Sequence, residues 1–531
     1  MTTHTSAAQP KITYSAIGGN LEEIHASFDA ALGKIGASFG KSHHPLIAGT
    51  TTAGAGPAYE SRSPIDRDLV LGSFHSPSSA QIDAAVAAAR SAQKTWALTP
   101  WKDRVAIMRD LAEMIRARRY ELAAILSVEI GKTRFESLGD AEEAADLIDY
   151  YASQFEANDG FVRPLGKLAP NEVTQDVLRP YGVFAVIAPF NFPASLAAGM
   201  SGAALLAGNA VVFKPAEDAS LTGATLAEIF AASKLPPGLF NCIYGVGEIT
   251  GAALTAHPEI DGIAFTGSHE VGMHLLQTVG AAGRYVKPVL AELGGKNAAI
   301  VTASADLEMA SEGVMRSAFG LQGQKCSACS RVYVDARVAK AFLALLLEKT
   351  RALVIGDPRL RDVYMGPVIN EAAFNRFEGA VKSARSGGTL LHGGERVVGA
   401  ALDRGYYVQP TIAQLPLDHP LFAQELFLPF LSIGIVDSFD EALREANRSD
   451  FGLTGGLFSQ DEGEIARFFD EAEAGVLYVN RRTGATTGAW PGVQSFCGWK
   501  GSGLTGRGGC GPYYPAQFMR EQSHTRMTQE R

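Results

Sequence analysis

Two short segments hold the residues best suited to chemistry. Glu292-Leu293-Gly294-Gly295-Lys296 sets a carboxylate beside two glycines, and Gly323-Gln324-Lys325-Cys326-Ser327 sets a thiol among small and polar residues. A thiol and a carboxylate that converge in a fold can act as nucleophile and general base. A third segment, Ala188-Pro189-Phe190-Asn191-Phe192-Pro193, carries an amide side chain on a proline-bounded turn. The common fate of a cysteine is a small buried thiol, yet Gly323, Gln324 and Lys325 are poor core neighbours for Cys326. A lone glutamate is usually solvated, but apolar Val289 and Leu290 precede Glu292 and glycines follow it.

The scaffold must be large enough to bring such segments together. A chain of 531 residues forms two or three domains. With 46% hydrophobic and 19% charged residues it belongs among folded, soluble proteins. A net charge of -9 implies no basic surface for nucleic acid. The N-terminus has no apolar core behind a basic stretch, and its early residues carry only Lys11 as a base, so neither a secretory signal nor a transit peptide is expected. Tyr181 to Phe213 lacks charged residues, but Pro189, Asn191 and Pro193 interrupt it; strand, helix and strand fit better than a membrane span. The odd count of five cysteines points to a reducing cytoplasm.

The pattern along the chain predicts an α/β fold. Residues 78–155 are rich in Ala, Arg, Glu and Leu at helical spacing, with Ser79 as a first cap and Gly131 as a helix stop. Strands at 184–188, 211–214, 240–244 and 262–266 then alternate with helices near 195–206, 221–232, 250–256 and 271–279, which implies a parallel sheet covered on both faces. A second α/β segment follows Glu292, with strands at 298–301, 330–334 and 431–436 and helices at 339–353 and 439–447. The last fifty or so residues, rich in glycine and aromatics, read as loops and an exposed strand. Residues 21–35 form one amphipathic stretch in an otherwise featureless N-terminal surface extension.

A dinucleotide fingerprint is weak on spacing alone. Gly245-Val246-Gly247-Glu248-Ile249-Thr250-Gly251 places its third glycine one residue late. Lys214-Pro215-Ala216-Glu217 follows a strand, where ligands lie in open α/β sheets. Its Lys and Glu can grip the two hydroxyls of a ribose, and a carboxylate there repels a 2′-phosphate, favouring NAD over NADP. Phe265-Thr266-Gly267-Ser268 offers a hydroxyl and helix-start amides to a pyrophosphate.

Taken together, the motifs at 189–193, 214–217, 265–268, 292–296 and 323–326 resemble the aldehyde dehydrogenase superfamily in order and spacing, from about His44 to the C-terminus. Within it, Gly323-Gln324-Lys325-Cys326-Ser327-Ala328, Phe451-Gly452-Leu453-Thr454-Gly455-Gly456 and Asn480-Arg481-Arg482-Thr483-Gly484-Ala485 are most similar to the branch that oxidises 1-pyrroline-5-carboxylate as glutamate γ-semialdehyde, a step of proline catabolism.

The resemblance implies an aldehyde dehydrogenase-like fold: an N-terminal extension over 1–43, a Rossmann-type NAD-binding domain over 44–169 and 181–292, and an α/β catalytic domain over 293–479. Residues 170–180 and 480–531 would supply a small β element for homo-oligomer contacts and the substrate loops. It further implies Cys326 as nucleophile, Asn191 as oxyanion donor and Glu292 as the base that activates water. Pro189, Phe190, Lys214, Glu217, Gly247, Ser268, Glu425 and Phe427 would bind NAD, and Ser327, Gly484 and Ala485 would anchor the substrate carboxylate. Leu428 and Cys497 stand where the family usually has glycine.

Cys326 and Cys329 also make a C-x-x-C pair, but no further zinc-ligand set accompanies it, so no metal is expected. Two rival readings remain: a dehydrogenase acting on another semialdehyde, and an inactive relative kept as a binding protein.

Overall fold

The computed structural model describes Thr13 and residues 20–282, 285–483 and 490–529. Its first sheet holds five parallel strands in the spatial order Val289–Glu292, Gly262–Thr266, Val183–Ile187, Ala210–Lys214 and Phe240–Cys242, followed by antiparallel Leu46–Ile47 and Thr50–Thr51. Nearly every residue of the five strands is buried, as expected of apolar runs covered by helices on both faces. From Val183–Ile187 the chain winds outward in one direction, then returns to the other side with Gly262–Thr266. That reversal opens a crevice at the carboxyl ends of the strands. Pro189, Asn191, Lys214, Gly247, Ser268 and Glu292 all lie at that edge.

The second sheet runs Thr389–His392, Thr411–Gln414, Phe430–Val436, Cys329–Asp335, Asn297–Val301, Thr454–Phe458 and Val476–Val479, parallel except for the first pair. Leu293 to Lys296 carry the chain from the end of the first sheet into Asn297–Val301, so the two sheets meet beside Glu292. A third sheet pairs Met519–Met527 with Glu172–Pro180 over nine residues, and Val162–Pro164 covers the other side. Met519–Met527 is an edge strand exposed along almost all its length. Among the described residues, no helix is long and apolar enough to cross a membrane.

Local signals acted one residue away from expectation in one place. The helix Ser79–Trp96 is capped by Ser78, not Ser79: the Ser78 hydroxyl accepts from Gln81 N, and Gln81 Oε1 accepts from Ser78 N. This reciprocal box requires Gln at the third helical position, which selects Ser78. Gly131 does end the helix Arg119–Ile130, in a left-handed conformation.

The amphipathic stretch Leu21–Ile35 is a helix, and it is docked rather than loose. Ile24 and Phe28 are buried against Ala123 and Leu138. The Arg134 guanidinium lies 4.9 Å from the Phe28 ring centre and pairs with Asp29 at 2.6 Å. Phe28→Ala should therefore lower the unfolding free energy by about 3 kcal/mol, the low end for a buried Phe truncation. A denaturant midpoint equal to that of the unaltered protein would show that this helix adds nothing to the fold.

Candidate active site

Cys326 follows an unusual turn. After the helix Leu307–Phe319 the chain enters a short 3-10 turn, Gly320–Gly323, in which Leu321 (φ 47, ψ 43), Gln322 (φ 55, ψ 28) and Gly323 (φ 65) are all left-handed. Each such non-glycine residue costs about 1–2 kcal/mol, so the turn persists only because side chains hold it. Gln322 Nε2 donates to Gly131 O at 3.1 Å, Leu321 N donates to Glu136 Oε1 at 2.7 Å, and Gln324 Oε1 accepts from Ile369 N at 2.9 Å. At Gly323 a Cβ would lie 2.2 Å from Leu428 O, so no side chain fits there.

The carboxylate segment touches the thiol segment through backbone. A Cβ on Gly295 would meet Cys326 O at 2.3 Å, which explains a glycine at that position. Asn297 Nδ2 stitches the two together, donating to Cys326 O at 2.7 Å and Ala328 O at 2.9 Å. Cys326, Ser327 and Glu292 line one cleft with Phe192, Thr266 and Met200. Burial and the facing carboxylates of Glu292 and Glu425 push the Cys326 thiol up to about 12; the Ser327 and Cys326 amide hydrogens, both directed at the sulfur, oppose that rise. Burial also pushes Glu292 up to about 7, against one hydrogen bond from Gly509 N to Oε1 at 2.6 Å. Asn191 is buried, its Nδ2 donating to Gln324 O at 2.9 Å and its Oδ1 accepting from Phe192 N at 3.1 Å.

On the adjoining edge, Lys214 Nζ lies 3.3 Å from Glu217 Oε1 and donates to Pro215 O at 3.0 Å, while Gly247 N also donates to Glu217. The glycine-rich segment is a π-turn, Gly247–Gly251, that leads into the helix Ala252–Ala256. Ser268 Oγ accepts from Val271 N at 3.3 Å near the start of the helix His269–Ala282. Pro189 leads into Phe190, whose ring stands edge-on to Phe427 at 5.8 Å. Glu425 Oε1 accepts from Gly295 N at 2.8 Å, so this loop of the second sheet reaches back to the carboxylate segment.

Leu428 leaves that contact intact, because its side chain packs into the core. Cys497 Sγ donates to Gly475 O at 3.2 Å. Ser327 is buried, with its carbonyl accepting from Thr454 Oγ1 at 3.3 Å. Gly484 and Ala485 lie outside the described residues.

Several cleft residues carry no local signal in the sequence. Glu143 and Tyr151 come from the helix Arg134–Ala157, and Phe496, Cys510 and Tyr514 from the C-terminal loops. Cys510 N donates to Tyr151 Oη at 3.2 Å. Their spacing in sequence exceeds any motif, so only the fold brings them together.

Residues 51–523 match the Aldehyde dehydrogenase family. The chain is 34% identical over 512 residues to 1-pyrroline-5-carboxylate dehydrogenase of Bacillus licheniformis, covering 96% of this chain and 97% of that protein. It is 35% identical over 506 residues to 1-pyrroline-5-carboxylate dehydrogenase 2 of Bacillus subtilis, covering 94% and 96% of the two chains. The crystal structure of 1-pyrroline-5-carboxylate dehydrogenase from Thermus with bound NAD matches with a TM-score of 0.92 at 33% identity, covering 98% of this chain and all of that one (100%).

Proposed function

Since the chain belongs to the aldehyde dehydrogenase family, we propose that it oxidises L-glutamate γ-semialdehyde, the open form of 1-pyrroline-5-carboxylate, to L-glutamate with NAD in proline catabolism. The observation that carries the reaction is the convergence of Cys326 and Glu292 on one cleft. The relatives that support the substrate are 1-pyrroline-5-carboxylate dehydrogenases matched over nearly the whole chain.

In this reading Cys326 gives its proton to water, and the thiolate Sγ attacks the aldehyde carbon, whose C=O π pair moves onto oxygen as the oxyanion of the thiohemiacetal. An amide nitrogen has two donors; Asn191 spends one on Gln324 O, and the other is available to the oxyanion beside the Cys326 N–H. One such donor is worth roughly 3–4 kcal/mol in other enzymes. Bound NAD supplies the acceptor for the departing hydride. Glu292 then takes a proton from the water that hydrolyses the thioester on Cys326.

The residues present fit a dinucleotide. Lys214 and Glu217 stand together at the carboxyl end of Ala210–Lys214, beside Gly247. A carboxylate at Glu217 accepts a ribose hydroxyl and repels a 2′-phosphate. Pro189, Phe190 and Ser268 border the same edge, and Glu425 and Phe427 approach it from the second sheet. We assign residues 44–169 and 181–292 to the cofactor domain and 293–479 to the catalytic domain. The open edge of Met519–Met527 is the contact for a second copy, since such edges need a cover. All five cysteines are unpaired, in keeping with a cytoplasmic enzyme.

The substrate carries a carboxylate and an ammonium at the end remote from the aldehyde. Ser327 is next to the nucleophile and would hold the carboxylate together with Gly484 and Ala485, while Glu143 has the sign to receive the ammonium. Ser327→Ala should cost roughly 1–2 kcal/mol in kcat/KM for the semialdehyde, the scale of a hydrogen bond to a charged group. Propanal, which has no carboxylate, should be affected much less. Equal losses on the two would remove Ser327 as an anchor. NADH formation with glutamate, succinic and 2-oxoglutaric semialdehydes tests the substrate itself: preference for either of the last two would refute it.

A further inference from the structure

The turn before Cys326 is held from the start of a helix that no sequence motif links to it. Glu136 is the third residue of Arg134–Ala157. Its Oε2 accepts from Thr133 N at 3.2 Å and Thr133 Oγ1 at 2.9 Å, which closes the helix cap. Its Oε1 accepts from Leu321 N at 2.7 Å and lies 3.8 Å from Lys325 Nζ. One carboxylate therefore grips the loop at the first of its left-handed residues and again at the residue before Cys326. Leu321 is fully buried, so without Glu136 its amide hydrogen would lose an acceptor that water cannot readily replace.

The helix start is itself fixed in place. Arg134 Nε donates to Arg359 O at 2.7 Å, and further along the helix Asp140 takes Lys132 Nζ at 2.7 Å and Ser195 N at 2.8 Å. Ser195 follows the Asn191 turn closely, so the same helix steadies both the thiol loop and the amide donor.

We propose that Glu136 is a positioning residue for the nucleophile: it holds the left-handed turn Leu321–Gly323, and through it the place of Cys326 Sγ in the cleft. The proposal rests on the reading of Cys326 as nucleophile. Glu136 does not line the cleft that holds Cys326, so its effect must pass through the amide hydrogen it accepts from Leu321.

The test uses the full chain and the variants Glu136→Ala, Glu136→Gln and Glu136→Asp. Glu136→Ala should lower kcat roughly 10- to 100-fold, the scale of a small misplacement of a reacting group, with NAD affinity unchanged. Alkylation of Cys326 by iodoacetamide, followed by peptide mass, should speed up as the turn loosens. Glu136→Gln keeps an oxygen for Leu321 N and should restore most of both properties.

Unchanged kcat and alkylation in Glu136→Ala would overturn the proposal, and so would a Glu136→Gln variant as impaired as Glu136→Ala, since the charge facing Lys325 would then be the cause. If Glu136→Ala does not fold, Glu136→Asp takes its place: it keeps the charge but withdraws the acceptor by one methylene, and the same losses are expected in a chain that circular dichroism shows to be folded. The alkylation rates need no aldehyde. Should glutamate γ-semialdehyde prove not to be the substrate, they still decide the role of Glu136.

Discussion

Cys326→Ala is expected to end aldehyde oxidation, by roughly 10⁴-fold or more, while NAD binding stays near normal. The cofactor contacts proposed above come from other segments, and only the thiol can form the covalent bond to the aldehyde. Alanine is also a benign replacement here, because the turn is held by Glu136, Gln322 and Gln324 and not by the thiol. Cys329→Ala is the matched control. Cys329 is buried in the second sheet, where its Sγ donates to Arg331 O at 3.4 Å. Its loss should cost about 1 kcal/mol of stability, as for a small buried side chain, and leave substantial turnover. NADH formation and a nucleotide titration on both variants check this pair. Activity surviving in Cys326→Ala but lost in Cys329→Ala would reverse the assignment.

Much of the scaffold around Cys326 is legible in the sequence where periodicity and boundary signals agree. The helices Ser195–Leu206 and Phe439–Asn447 and the strand Gly262–Thr266 lie where the pattern places them. Legibility fails where an element is defined by its neighbours. Thr454–Phe458 is not among the strands expected from the pattern, because Gly455 and Gly456 break its apolar run, yet it pairs on both sides, with Asn297–Val301 and Val476–Val479. Thr411–Gln414 is too short to show alternation, and its register comes from Phe430–Val436. The helices Leu307–Phe319 and Glu371–Gly387 also lie outside the expected elements, although Asp306 and Asn370 cap them.

The site divides in the same way. Cys326, Glu292 and Asn191 each sit in a compact motif with glycine or proline beside them, so the sequence exposes them. Glu136, Glu143 and Tyr151 lie on one long helix rich in Ala, Glu and Asp. In sequence they look like its solvated face or its packing stripe. Only the contact of that helix with the turn Gly320–Gly323 and the cleft gives them meaning. Lys214 and Glu217 are intermediate: the strand before them signals a ligand edge, but their mutual contact and the Gly247 amide bond appear only in three dimensions.

Glu292→Gln should separate the two halves of the reaction. The thiol remains, so acylation and hydride transfer proceed once, giving a burst of NADH of about one equivalent per site. Deacylation then lacks its base, and steady turnover should fall by roughly 10²- to 10⁴-fold, the usual worth of general-base catalysis. The geometry favours this division. Glu292 Oε1 accepts from Gly509 N at 2.6 Å, which fixes the carboxylate and leaves Oε2 to take a proton from water. The pH dependence provides a second readout with a definite sign. Burial raises Glu292 to about 7, and only its ionised form can accept a proton, so the deacylation rate should climb with pH through about 7 and level off above it. In Glu292→Gln that rise should disappear from the slow phase. A variant that shows slow single-phase kinetics without a burst would instead assign Glu292 to removing the proton from Cys326. That alternative has a physical basis, because the thiol stands at about 12 beside a group that titrates near 7. The burst decides between them: acylation that survives the loss of Glu292 means that Cys326 does not depend on it for deprotonation.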